Sequence, residues 1–230
     1  KKEVIKRLKA IRNTFNGIIC IDKIYNYPGE STAMLLDDVK QIIDLKIDSI
    51  SFYSLMIHEG SSLSKEYEEN KFCESQDLKF HDLFIKELLK TGDYELIELT
   101  KIVRKNCDSY QYMSIRNSNG NTIPLGKGAG GKIDSYHIYN MSFDKIMVAK
   151  SASINDDLAQ NIYGMLQSHI ISKENIKLFL SSTVKSVITK LINNNYIDED
   201  ENNYYLTSKG IFYGNNIGGL LTKSFLEDNI

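Results

Sequence analysis

The sequence predicts an α/β segment followed by an α+β region with an antiparallel sheet and a C-terminal winged-helix-like module. Three observations predict it. Near the N-terminus one helical pattern separates two apolar, β-branched runs of strand length. Strand-like segments then follow two further helical patterns, and a helix, helix, β-ribbon, helix order closes residues 155–230.

Val4, Leu8, Ile11 and Phe15 recur at helical spacing, so an amphipathic helix opens the chain and ends at Gly17. Residues 18–25 read as a strand, and Tyr27-Pro28-Gly29-Glu30-Ser31 reads as a turn. Leu35, Leu36, Val39, Ile42 and Ile43 then mark a second helix, and residues 50–57 a second strand. Residues 17–57 therefore make one βαβ unit, whose strands run parallel. Helices are expected at 63–70 and 75–91, and strands at 94–105, 110–116 and 135–141. The C-terminal helices are expected at 157–169, 173–180 and 183–194, followed by a ribbon around Tyr196-Ile197 and Tyr204-Tyr205-Leu206 and a closing helix. The boundaries that result are 1–63, 64–154 and 155–230.

Two parallel strands and one helix cannot cover their own faces and edges, because parallel sheets survive as buried layers of several strands. The chain also begins at Lys1 rather than at methionine. The expectation is that the natural protein continues upstream with the missing N-terminal half of the sheet. Exposed strand edges could otherwise be paired in an oligomer.

Composition excludes some classes. The formal net charge is −2, which gives no general reason to expect nucleic acid or an anionic membrane. No apolar run reaches the length of a transmembrane helix. Cys20, Cys73 and Cys107 are widely spaced, form no metal-binding cluster, and fit a reducing cytoplasm. The expected recognition helix of the winged-helix-like module carries only Lys185 and Lys190, and its wing is acidic, so DNA binding is not expected.

Four motifs carry a resemblance. Asp22-Lys23-Ile24-Tyr25-Asn26-Tyr27-Pro28-Gly29-Glu30-Ser31 resembles the fifth-strand signature of the radical S-adenosylmethionine (SAM) oxygen-independent coproporphyrinogen III oxidase superfamily. Asn26 stands where that signature has glycine. Residues 51–63, Ser-Phe-Tyr-Ser-Leu-Met-Ile-His-Glu-Gly-Ser-Ser-Leu, are similar to its sixth-strand motif, with Glu59 where proline is common. Leu125-Gly126-Lys127-Gly128-Ala129-Gly130 is similar to the segment that follows the barrel. The Gly130-Gly131 ending and the Tyr110-Gln111-Tyr112 run look like the haem-utilisation branch. Leu206-Thr207-Ser208-Lys209-Gly210 is likewise similar to the superfamily's C-terminal module.

The resemblance implies a fold and a chemistry. Residues 1–63 would be the last two βα units of a partial, TIM-like radical SAM barrel. The parent would hold a [4Fe-4S] cluster and SAM, but the cluster-binding Cys-x3-Cys-x2-Cys loop is absent here, so this chain alone should be inactive. Ile24, Tyr25, Tyr27, Pro28, Gly29, Tyr53 and Leu55 would lie on the SAM side. The implied substrate is a tetrapyrrole. Anaerobic haem degradation to a linear tetrapyrrole, with SAM-derived radical and methyl chemistry, is the leading reading. Coproporphyrinogen III oxidation is the alternative enzyme, and a haem-binding chaperone is the non-enzymatic alternative.

Residue chemistry points to a tetrapyrrole surface at His58, Tyr110, Tyr112, Arg116, Lys127, Gly128 and His137. Aromatic faces suit a flat macrocycle, imidazoles can ligate or move protons, and the cations suit propionates. The bland alternatives are core aromatics and solvated histidines. Residues 126–131 satisfy a GxGxxG pattern, but no helical periodicity follows, so a dinucleotide site is not expected.

Overall fold

The structure, a computed structural model, describes residues 1–66, 74–142, 144–150 and 154–228. It divides into two compact units, Lys1–Ser109 and Tyr110–Ile230. Residues 64–154 thus contribute to both.

In the first unit, α1 (Lys2–Thr14) leads to β1 (Cys20–Tyr25), α2 (Thr32–Asp44) and β2 (Ser49–Ser54). The short α3 (Ser62–Glu66), the long α4 (Glu74–Leu89), β3 (Tyr94–Glu98) and β4 (Lys101–Arg104) follow. Residues 67–70 of the expected helix 63–70 lie outside the described residues, as does Cys73. β1 and β2 are parallel, paired from Cys20↔Ser49 to Tyr25↔Ser54. The sheet order is β1-β2-β4-β3, with β4 antiparallel to both neighbours. The stretch 94–105, expected as one strand, is a hairpin whose register shifts between Leu96 and Glu98.

Alternation along the strands sorts the residues onto two faces. Lys23, Tyr25, Ile50 and Phe52 are buried, and α2 and α4 supply Leu35, Val39, Ile42, Phe84 and Leu88 to the same core. Cys20, Asp22 and Ile24 of β1 and Ser49, Ser51 and Tyr53 of β2 share the opposite face. That face is closed over Ser49 and Ser51, which are buried, and open toward the C-terminal ends of the strands, where Ile24 is 50% and Tyr53 is 44% exposed.

α1 buries none of its residues, and Val4, Ile11 and Phe15 are exposed. It is held by charge instead. Arg12 and Arg104 both grip the buried carboxylate of Asp48, which also accepts from Ile19 N–H at 3.0 Å. Burial alone would raise the Asp48 pKa, but that amide and the two guanidiniums overturn it and hold the group at about 2.

In the second unit, α5 (Gln111–Asn117) precedes a meander of β5 (Gly130–Ile133), β6 (Tyr136–Ser142) and β7 (Lys145–Lys150). Residues 110–116 are therefore a helix, not the expected strand. Met113 and Ser114 N–H both donate to Tyr110 O, and a seven-residue apolar and aromatic run cannot by itself separate the two periods. The strand beside β6 is instead the end of the glycine-rich run, with Gly130↔Tyr139 and Lys132↔His137 paired.

The remainder is α6 (Ile154–Met165), β8 (Ile170–Ser172), α7 (Lys173–Ile176) continued by a 3-10 turn, and α8 (Ser182–Asn193). Then come β9 (Ile197–Glu199), β10 (Asn203–Leu206), α9 (Ser208–Phe212) and α10 (Gly214–Glu227). Ser181 and Thr207 cap α8 and α9 through their hydroxyls. Ile162, Leu166, Val184, Ile188, Ile217 and Leu221 form the core, and β8, β10 and β9 make a small antiparallel sheet.

Candidate functional site

Two regions collect the residues singled out from the sequence. The first lies at the C-terminal ends of β1 and β2, where ligands gather in barrels of parallel strands. Glu30 N–H donates to Tyr27 O at 2.9 Å, and Gly29 has φ +78°, so Tyr27-Pro28-Gly29-Glu30 is a type II turn. Asn26 has φ +60°, a left-handed conformation that glycine adopts freely and asparagine tolerates, which accounts for asparagine standing where the resembled motif has glycine. The turn is locked from within. Glu30 accepts from Asn26 N–H at 2.5 Å and from Lys23 Nζ at 2.8 Å, and Lys23 also reaches Asp38 of α2 at 2.7 Å.

Of the SAM-side candidates, Ile24 and Tyr53 lie side by side on the open face, and Pro28 and Gly29 are exposed on the turn. Leu55 is half-buried, its N–H donating to Tyr25 O at 2.9 Å. Tyr27 is half-buried under Lys23, whose Nζ sits 5.4 Å from the ring centroid. Tyr25 faces the other way. Its ring is buried with its centroid 6.2 Å from that of His81 on α4, and burial first, then Asp77, pushes its pKa far up. His58 is exposed beyond the end of β2.

The second region is a cleft of about 900 Å³ within the second unit. Helical spacing on α5 sends Tyr112, Met113 and Arg116 to it. β5 and β6 present Lys132, His137 and Tyr139 from one face of the meander, and Gly128 lies on the rim. Four tetrapyrrole candidates, Tyr112, Arg116, Gly128 and His137, thus share one wall system, while Tyr110 and Lys127 do not line it. Gly128 has φ +78°, and its N–H donates to Asn140 O at 2.7 Å, so the loop continues the sheet edge.

The sequence reading missed Lys132, the α6 residues Gln160 and Tyr163, and Gln167 just beyond α6, which also line the cleft. Polar residues along a helix read as a solvated face, so only their three-dimensional neighbours reveal them. Lys132 is buried and bonded to Asn119 Oδ1 at 2.5 Å and Asp157 Oδ1 at 2.7 Å. Close approach of backbones shapes the cleft: a Cβ on Gly164 would come 1.8 Å from Asn117 O.

No family model matches the chain. Among curated proteins it is 22% identical to a haem chaperone, HemW, of Lactococcus lactis, over 92% of this chain and 59% of the relative. It is 26% identical to a putative HemW-like haem chaperone of Buchnera aphidicola, over 91% of this chain and 60% of the relative. Its fold matches that of the radical SAM coproporphyrinogen III oxidase HemN from Escherichia coli with a TM-score of 0.72 at 13% identity, over 95% of this chain and 58% of the other. The chain is thus similar to haem-chaperone proteins in sequence, and it shares the fold of part of a radical SAM coproporphyrinogen III oxidase. It spans about three fifths of the length of the relatives it matches.

The radical SAM enzyme that shares this fold raises the question of whether the residues present fit SAM and an iron–sulfur cluster. Among the described residues no group of three His, Cys, Asp or Glu is placed to hold a metal ion. On the side expected to face SAM, Ile24 and Tyr53 present an exposed apolar surface, and Pro28 and Gly29 are exposed on the turn that follows β1, side-chain and backbone chemistry of the kind that could meet an adenine. Among the described residues no helix is long and apolar enough to cross a membrane.

Proposed function

We propose that this chain is part of a haem-handling radical SAM protein, and that the cleft walled by α5, α6, β5 and β6 is where the tetrapyrrole docks. The observation that carries the reading is the convergence of Tyr112, Arg116, Gly128 and His137 on one cleft of suitable size. Tyr112 and Tyr139 supply ring faces, His137 an imidazole, and Arg116 a guanidinium for a propionate. Ile24, Tyr53, Leu55 and the Pro28-Gly29 turn take the adenosine side of SAM. Residues 155–230 form a winged-helix-like module, and residues 1–63 the end of the partial barrel.

Chaperoning is favoured over haem degradation. Both matched curated relatives carry a haem-chaperone name, while degradation rests on the Gly130-Gly131 and Tyr110–Tyr112 details alone. The test is anaerobic reconstitution of the full-length gene product with iron and sulfide, followed by addition of SAM, reductant and haem. Haem retained with an intact Soret band supports the chaperone. Bleaching of that band with SAM cleavage would establish degradation instead, and absence of any haem binding would remove the reading altogether.

A further inference from the structure

A second cleft, of about 400 Å³, lies in the first unit between α1 and the α2–β2 loop. Lys9, Arg12, Lys46 and Arg104 line it, against one carboxylate, Asp44, on its wall. We infer that this cleft binds a phosphate group, independently of the haem reading.

The charge is held in place before any ligand arrives. Asp48 grips Arg12 and Arg104 and spends its oxygens on them and on Ile19 N–H. Arg12 Nη2 also donates to Lys46 O at 3.2 Å, which fixes the loop that carries Lys46 to α1. Counting Asp44 and Asp48 against the four cations leaves two positive charges in excess. Lys9 and Lys46 have no ion-pair partner among the described residues.

The surroundings also favour an anion. Arg12 keeps one guanidinium donor, the buried Nε, without a hydrogen-bond partner, so its hydrogen-bonding capacity is not used up by the contacts above. The C-terminal carbonyls of α2, which would repel an anion, are already used: Lys46 N–H donates to Ile43 O and Ile47 N–H to Ile42 O. Tetrahedral phosphate, with several acceptors and up to two charges, matches guanidinium and ammonium donors better than a single carboxylate does.

The experiment is calorimetric titration of the 230-residue chain with pyrophosphate, at ionic strength held constant with chloride. Saturable binding is expected, weakened about tenfold by each of Lys9→Gln and Lys46→Gln. Circular dichroism should show unchanged melting for both variants without ligand, since neither lysine is paired. The inference is overturned if pyrophosphate gives no saturable heat beyond the chloride control. It is equally overturned if a folded double variant binds as the parent chain does.

Discussion

The ammonium of Lys23 lies 2.8 Å from the carboxylate of Glu30, and both side chains are buried at the end of β1. Through this pair the strand, the turn and α2 are fastened together, because Glu30 also accepts from Asn26 N–H and Lys23 also reaches Asp38. Burial alone would lower the Lys23 pKa. The carboxylates of Asp38 and Glu30 outweigh it and raise the value above that of an ordinary lysine.

Glu30→Gln should therefore destabilise the chain by about 3 kcal/mol, the cost of leaving one member of a buried pair uncompensated. Glu3→Gln, which breaks the exposed Arg7–Glu3 pair on α1, should cost no more than about 0.5 kcal/mol. Urea unfolding of both variants checks the contrast. Equal losses would mean that the buried pair adds nothing to the turn.

Acid should act in two separate windows. His81 is buried against Phe52, and burial, opposed by Asp82, lowers its pKa to about 4. In the unfolded chain it titrates near its usual 6.5. Its effect is nil above that value, and stability falls as pH drops from 6.5 to 4, by about 3 kcal/mol in total. Asp48 acts lower. Its pKa is depressed, so its stabilisation is complete above the unfolded value of 3.8 and is lost as pH falls toward 2. Melting curves of His81→Phe should lose the upper slope and keep the lower one.

The sequence announced its long, periodic elements well. Leu35, Val39 and Ile42 on α2, and Val184, Ile188 and Leu191 on α8, repeat at helical spacing because one face of each helix is buried. The parallel pair β1–β2 was legible from β-branched runs around a single helix. Residues 110–116 were not, since seven residues are too few to tell alternation from helical repeat. The Asp48 cluster and the Lys132–Asp157 pair join residues 25 or more positions apart, and no local pattern records them. Arg116 and His137 were legible by type alone; that α5 and β6 turn both to one cleft required the fold.

Two glycines on helices should respond in opposite ways to alanine. At Gly219 in α10 a Cβ would meet nothing within 4 Å, so Gly219→Ala should stabilise by up to about 1 kcal/mol through helix propensity. At Gly164 the new carbon would collide with Asn117 O, and overpacking of this kind costs about 1–3 kcal/mol. The collision outweighs the propensity gain, so Gly164→Ala should lower the melting temperature and widen the α5–α6 wall of the cleft. Thermal melts of the two variants, made side by side, decide this.

The last prediction separates the two cations offered for propionates. Arg116 lines the cleft, has no ion-pair partner among the described residues, and sits one helical turn from Tyr112. Lys127 is exposed on the glycine-rich loop and does not line it. Titration of the chain with haem, followed at the Soret band, should show Arg116→Gln binding about tenfold more weakly, the loss of one charge-assisted contact. Lys127→Gln should change affinity by less than about twofold, as expected of a solvent-screened charge. Haem dimethyl ester carries no propionate charge, so with it the Arg116 effect should vanish. If it persists, the guanidinium meets some other part of the macrocycle, and the orientation of haem in the cleft must be reversed.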